Sequence, residues 1–276
     1  MQCKLADILR LKHNPVAIIF TNEKPAEAMQ FRKGKWGCVM MLFAQAARGK
    51  TAVFDRETYG CFGGGTGLGF GNQYYSFSGG IECFYSFLSS GNIETVEGED
   101  LAKESGEFRR RESYKDFMHG EGYVKSPELV KKFVDNLPII DVPAKYVMFK
   151  SLKDVDEKKE EPQVIVFTVN PDQLSALVVL ANYERASFDN VYAPFAAGCQ
   201  AIGILAYKER EKDNPRAVIG LTDLSARKYS TRQLGKDALT FAIPLKMFYE
   251  MEGNIEGSFL ERETWKKLVK MNMEEE

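Results

Sequence analysis

"PVAIIFTNEKP" (Pro15–Pro25) and "PQVIVFTVNPD" (Pro162–Asp172) align without a gap, with Ile18 over Ile165, Phe20 over Phe167 and Thr21 over Thr168. Each is a short apolar run, rich in β-branched residues, that ends in turn-forming residues, so each reads as a buried strand. A repeated strand raises the question whether its surroundings repeat as well. Downstream, each copy has a Gly-Cys pair opening an apolar, helix-favouring segment: "GCVMMLFAQAARGK" (Gly37–Lys50) and "GCQAIGILAYKERE" (Gly198–Glu211). A second strand pattern follows in each, "TAVFD" from Thr51 and "RAVIGL" from Arg216.

The order strand, long connection, Gly-Cys, helix, strand, read twice, predicts an α/β fold, with a mixed α+β arrangement as its variant. It is built as an internally duplicated unit of two pseudo-two-fold related halves. Residues 1–150 form the first half, which carries a glycine-rich loop, and residues 151–276 the second, which ends in a helix. The charge run "DVDEKKEE" (Asp154–Glu161) is the expected linker. "SPELVKKFVDNL" has Ser126 and Pro127 at a helix start, with Leu129, Phe133 and Leu137 at helical spacing. Ser258 followed by Glu261 reads as a capping box opening the terminal helix. Three adjacent arginines, Arg109 to Arg111, stand among acids and read as an exposed charged segment. The aromatic stretch Tyr74 to Phe87 reads as core.

Composition narrows the function. Lys plus Arg (37) nearly balance Asp plus Glu (39), so no strong field favours nucleic acid or an acidic membrane face. No long apolar segment heads the chain or interrupts it, and five cysteines with no CxxC pair are not a disulfide framework. The expectation is a soluble cytoplasmic protein with reduced thiols, partnered by a small-molecule ligand rather than by nucleic acid or membrane, with a homo-oligomer left open. Two histidines, His13 and His119, without HExxH speak against a zincin, and the absence of GxSxG removes the nucleophile elbow.

The stretch "GCFGGGTGLGFG" (Gly60–Gly71) holds seven glycines in twelve residues. Glycine is tolerated at that density where the chain turns sharply or approaches something closely. Neither GxGxxG nor a P-loop fits the run, so the expectation is a bare backbone loop facing a ligand at the junction of the halves. In the repeat register Cys61 stands opposite Ala226, which places Arg227 on the matching loop. The ligand-binding candidates are therefore Gly60, Gly63, Gly64, Gly65 and Arg227, a guanidinium near N–H groups suiting a small carboxylate or phosphate.

Cys38, Cys61 and Cys199 each follow a glycine, and a thiol at a helix start has its pKa lowered by the helix dipole. Together they are candidate ligands for an iron–sulfur cluster or a soft metal, with Cys83 or another group in the fourth position. Cys3 has no such context. Whether the chain is an enzyme stays open: a redox site on these cysteines is one reading, and a non-enzymatic binding or sensing module with packed cysteines is the alternative.

The combination of "PVAIIF", Cys38 before "AQAARGK", "GCFGG" and "GLG", "PQVIVFTVNPDQLSALV", "AAGC" (Ala196–Cys199), "GLTDLSAR" (Gly220–Arg227) and "LTFAIPLKMF" from Leu239 resembles domain-of-unknown-function family 169, also labelled ArCR. The resemblance spans almost the whole chain. It implies that Cys38, Cys61 with its glycines, Cys199 and Arg227 occupy motif positions, and it brings no activity with it. Some members have a cysteine near the position of Ala226.

Overall fold

The computed structural model describes residues 1–93, 95 and 112–274; Arg109 to Arg111 lie outside them. Its strands are β1 (Val16–Thr21), β2 (Ala52–Phe54), β3 (Tyr146–Ser151), β4 (Pro162–Val169), β5 (Val191–Tyr192), β6 (Ala217–Gly220) and β7 (Leu239–Pro244). The helices are α1 (Lys4–Ile8), α2 (Val39–Ala46), α3 (Phe62–Leu68), α4 (Ile81–Phe87), α5 (Glu112–His119), α6 (Pro127–Asp135), α7 (Pro171–Ala181), α8 (Gly198–Ile202), α9 (Ile204–Arg210), α10 (Leu224–Leu234), α11 (Leu245–Gly253) and α12 (Glu263–Glu274). The fold is mixed α/β, built on one seven-stranded sheet of order β2-β3-β1-β4-β7-β6-β5.

β1 and β4, the strands of the two aligned stretches, are direct antiparallel neighbours at the middle of the sheet, with Ala17 opposite Ile165 and Ile18 opposite Val164. β3 pairs with β1 and β7 with β4, both antiparallel, while the parallel pair is β5 with β6. The central strands are apolar on both faces because helices cover both. On one face Ala17, Ile19, Ile165 and Phe167 join a core with Leu177 and Leu180 of α7 and Met247, Phe248 and Met251 of α11. On the other, Phe149 meets Phe54 and Phe43 of α2, with ring centroids 4.9 and 6.1 Å away, and Phe20 packs edge-on against Tyr207 of α9 at 5.0 Å. The second face carries the helices whose first residues form the candidate site.

The chain divides into two compact units, residues 1–70 with 140–276, and residues 71–139. The second holds α4, α5 and α6. There Tyr74 stacks on Phe84 at 4.0 Å, Phe77 meets Phe84, Phe87 and Phe117, and Asn92 donates to the carbonyls of Cys83 and Phe117. Within the aromatic stretch Tyr74, Phe84 and Tyr85 are buried and Tyr75 is exposed.

Three local expectations are corrected. The glycine run is not a loop, since Phe62 to Leu68 is helix. Helix α6 buries Val130 and Val134, not the stripe through Leu129, which is exposed. Ser258 accepts from the Leu260 N–H to start a single 3-10 turn, Phe259–Glu261, and the terminal helix opens only at Glu263.

Candidate functional site

Cys38 is the capping residue of α2, with extended backbone ahead of the helix. Cys61 has the same place at the start of α3, where its sulfur accepts the Gly64 N–H at 3.2 Å, a thiol in the role serine commonly plays. Cys199 is the second residue of α8 and is 7% exposed; its thiol donates to the Gly63 carbonyl at 3.1 Å and so ties α8 to α3. These three residues, far apart in sequence, thus sit at the starts of three helices, two of them joined through sulfur.

A fourth group belongs with them. Asp223 caps α10, its Oδ2 accepting the Ala226 N–H at 3.1 Å. Its Oδ1 accepts the Gly198 N–H at 2.8 Å, which binds the start of α10 to the start of α8. A side chain at Gly198 would stand 3.1 Å from Met40 of α2 and 3.2 Å from that same Oδ1. Trp36, ahead of α2, packs edge-on against Tyr229 of α10 at 4.9 Å. Asp223 is absent from the sequence-derived candidates; the available signal was an aspartate shortly after a strand, beyond Leu221 and Thr222, and directly before helix-forming residues.

The glycines explain how these helices come so close. Four glycines in the seven residues of α3 cost roughly 1 kcal/mol each against alanine in helix propensity, so packing must offset the loss. A Cβ on Gly67 would lie 2.8 Å from the backbone of Cys199 and Gln200 and 2.9 Å from the Cys199 sulfur. On Gly64 it would lie 2.7 Å from Val39 of α2 and from the Tyr59 carbonyl. Gly60 has φ +83°, a left-handed turn, and a Cβ there would overlap the Gly37 carbonyl at 2.3 Å, so the chain just before Cys61 lies on the chain just before Cys38. At these positions the glycine run approaches other stretches of its own backbone.

Electrostatics place the four acids in one field. Burial pushes the Cys38 thiol up to about 12, with the charge of Cys61 adding to it. Cys199 is driven well above the ordinary thiol value by burial, then by Cys61, Cys38 and Asp223. Burial also raises Cys61, against the opposing N–H groups of its own helix start. The Asp223 carboxyl is raised by burial, with the N–H groups of Ala226 and Gly198 and the charge of Arg227 pulling the other way. The expectation that helix starts lower these thiols is therefore corrected: desolvation and mutual repulsion outweigh the dipole, and the thiols carry their protons at neutral pH.

Arg227 donates to the backbone carbonyls of Leu221 at 3.2 Å and Ala238 at 2.9 Å, and also to that of Lys236. Its guanidinium braces the chain around α10 from both sides. Cys83 is buried in the unit of residues 71–139, among Phe117 and Met118. Cys3 hydrogen-bonds Glu252, which also accepts the N–H groups of Lys4 and Leu5 at the start of α1. Among the described residues no three His, Cys, Asp or Glu side chains are grouped to hold one metal ion, and no helix is long and apolar enough to cross a membrane.

The sheet and the four helix starts define an α/β protein with a neighbourhood of one buried and two half-buried thiols and one half-buried carboxylate. Residues 4–254 match the family described as uncharacterised ArCR, domain of unknown function 169, and the chain belongs to that family. Comparison with curated proteins and with solved structures gave no match.

Proposed function

We propose that the chain is a duplicated α/β unit whose two halves, residues 1–150 and 151–276, together hold an iron–sulfur cluster on Cys38, Cys61 and Cys199 for redox chemistry. The duplication has support in the ladder registers. The ungapped alignment puts Ala17 over Val164 and Ile18 over Ile165, and these four residues face one another across the β1–β4 ladder, which suits a two-fold axis through its middle. The same operation carries the sheet order β2-β3-β1 onto β6-β7-β4. It also carries Ala52 onto Ala217, in agreement with the alignment of "TAVFD" with "RAVIGL".

The cluster reading rests on one observation: three thiols from distant parts of the chain stand at neighbouring helix starts, where the charge of Cys61 bears on Cys38 and Cys199 and that of Cys38 on Cys199. Thiolate is the usual ligand of such clusters, and a cation that displaces the thiol protons relieves the repulsion among buried anions. A cluster is gripped at several irons, so its ligands stand further apart than those of a single ion. A cytoplasmic, reducing setting goes with this reading, because no disulfide joins any of the five cysteines among the described residues.

A second reading, a binding or sensing module with packed cysteines, is favoured by the sulfur contacts of Cys61 and Cys199 with the α3 backbone. A small anionic ligand on the glycines and Arg227 has less support, because the guanidinium already holds carbonyls. Anaerobic purification followed by assay of iron and acid-labile sulfide separates the two. The cluster reading expects both elements, with visible absorbance that is lost in Cys38→Ser, Cys61→Ser and Cys199→Ser. Folded protein that takes up neither after reconstitution with ferrous iron and sulfide leaves the binding module.

A further inference from the structure

Over the whole chain Lys and Arg nearly balance Asp and Glu, but the balance is not local. Residues 30–54 and 224–236 together contain nine of the 37 basic residues and none of the 39 acidic ones. The first stretch comprises the turn ahead of α2, α2 itself and β2, and the second is α10 with the two residues after it. The fold brings them together. α10 lies against α2, with Trp36 edge-on to Tyr229 at 4.9 Å. At the far end the His13 Nε2–H donates to the Leu234 carbonyl at 3.2 Å, and the Asn14 N–H donates to that of Ala47 at 2.9 Å, so Arg48 is held near the end of α10. We propose that this basic face binds single-stranded nucleic acid, its cations holding phosphates and the Trp36 ring stacking on a base. Binding there does not depend on what the cysteines hold.

The charges are directed outward. Ala226, Ser230 and Leu234 turn one side of α10 into the protein, so Lys228 and Arg232 share the opposite side, about 6 Å apart along the axis. Both are exposed, as are Arg32, Lys35 and Arg48. Among the described residues Lys33 pairs with Glu57, whereas Arg32, Lys35, Arg48 and Arg232 form no ion pair. Cations gathered without acids repel one another, and a polyanion laid along them relieves that repulsion.

The rings set the kind of polyanion. Trp36 is 59% exposed, directly after Lys35, and the Lys228 ammonium lies over the Tyr229 ring at 5.9 Å. A single strand offers a flat base face to such an indole at every step and a phosphate to the cations beside it. A duplex keeps its base faces inside the stack, and an acidic protein offers carboxylates without a ring at each step.

The test is fluorescence anisotropy of fluorescein-labelled oligouridylate and oligothymidylate with the full chain, freed of bound nucleic acid by nuclease and high salt, across a salt series. Both single strands are expected to bind, more weakly as salt rises. Lys35→Gln combined with Arg232→Gln weakens binding and lowers the logarithmic salt slope by about 1.4, roughly 0.7 for each cation removed. Trp36→Ala weakens binding about tenfold at unchanged slope, the size of one lost base stack, and Trp36→Phe recovers most of it. Circular dichroism checks that each variant is folded. No binding at low salt overturns the proposal, as does binding that all the variants retain or a duplex of equal length bound as tightly. Displacement by polyglutamate at equal charge, with Trp36→Ala without effect, also overturns it and makes the face a dock for an acidic protein.

Discussion

The Cys199 thiol donates to the carbonyl of Gly63 at 3.1 Å, across 136 residues of sequence, because Gly67 one turn further along α3 has no side chain to hold the two helices apart. A methyl group at Gly67 would meet the backbone of Cys199 and Gln200, which cannot swing aside as a flexible side chain would. Gly67→Ala gains about 1 kcal/mol in helix propensity and, against backbone that cannot yield, loses about 2–3 kcal/mol, the upper part of the overpacking range, so it comes out destabilising by about 1–2 kcal/mol. Urea unfolding checks this. Unchanged stability would mean that the two helices do not pack at this distance.

Arg227→Ala separates scaffold from ligand binding. Hydrogen bonds from a charged donor contribute about 1.5–3 kcal/mol, and this guanidinium serves three carbonyls on two sides of α10. The expected outcome is a loss of about 2–3 kcal/mol in the absence of any ligand. Arg227→Lys recovers only part of it, since one ammonium cannot reach three divergent acceptors. A melting temperature within a degree of wild type would return Arg227 to the role expected of it from sequence, a receptor for an anion.

The strands were legible because apolar, β-branched runs bounded by proline and turn residues have few other uses, and Pro15 and Pro162 mark neighbouring strands in the sheet. The glycine run was misread for a physical reason. Propensity argues against helix at Gly63, Gly64, Gly65 and Gly67, and what overrides it is the approach of Val39 and Cys199 from elsewhere in the chain, which no local pattern records. In α6 the stripe was displaced by one residue because Leu129 and Phe133 share the four-residue spacing of Val130 and Val134. Of the site, the cysteines could be found by their recurrence. Asp223 could not, because an N-capping aspartate is common and only its bond to Gly198 marks it out.

Glu209 offers an acid-side test away from the cysteines. It is buried, 1% exposed, and accepts from Lys212 at 2.7 Å, from the Arg216 N–H at 3.0 Å and from the Arg216 guanidinium at 3.2 Å. Burial pushes its carboxyl up, yet the Lys212 and Arg216 partners together hold it below the ordinary glutamate value. A depressed carboxylate contributes stability that is present above its unfolded pKa and lost as pH falls through the folded one. Glu209→Gln should therefore lower stability at pH 7 by about 2–4 kcal/mol and flatten the acid limb of the stability profile below about pH 4.5. Parallel acid limbs for the two proteins would show that the pair does not hold the carboxylate ionised.

The alkaline limb tests the thiols without any metal. An unfolded cysteine titrates near 9.0, whereas Cys38 in the folded chain is pushed up to about 12 by burial and by the charge of Cys61. A group whose pKa is raised on folding contributes stability that is fully present below the unfolded value and lost as pH rises towards the folded one. Stability should therefore fall between pH 9 and pH 12, on the order of a few kcal/mol. Tyr192 is also pushed up to about 12, by burial and then by Glu209, and burial raises Cys3, Cys61, Cys199, Tyr59, Tyr85 and Tyr207 as well, so the wild-type slope contains all of these groups. Cys38→Ser keeps these other groups and removes the thiol, and the difference between the two slopes belongs to Cys38 and to the repulsion it relieves at Cys199. Urea unfolding of both proteins at pH 8, 9, 10 and 11 under reducing, chelator-treated conditions gives that difference. The serine variant is expected to lose less stability over this range. Equal slopes would mean that Cys38 ionises as freely folded as unfolded, which would remove the buried, mutually repelling thiols from which the cluster reading begins.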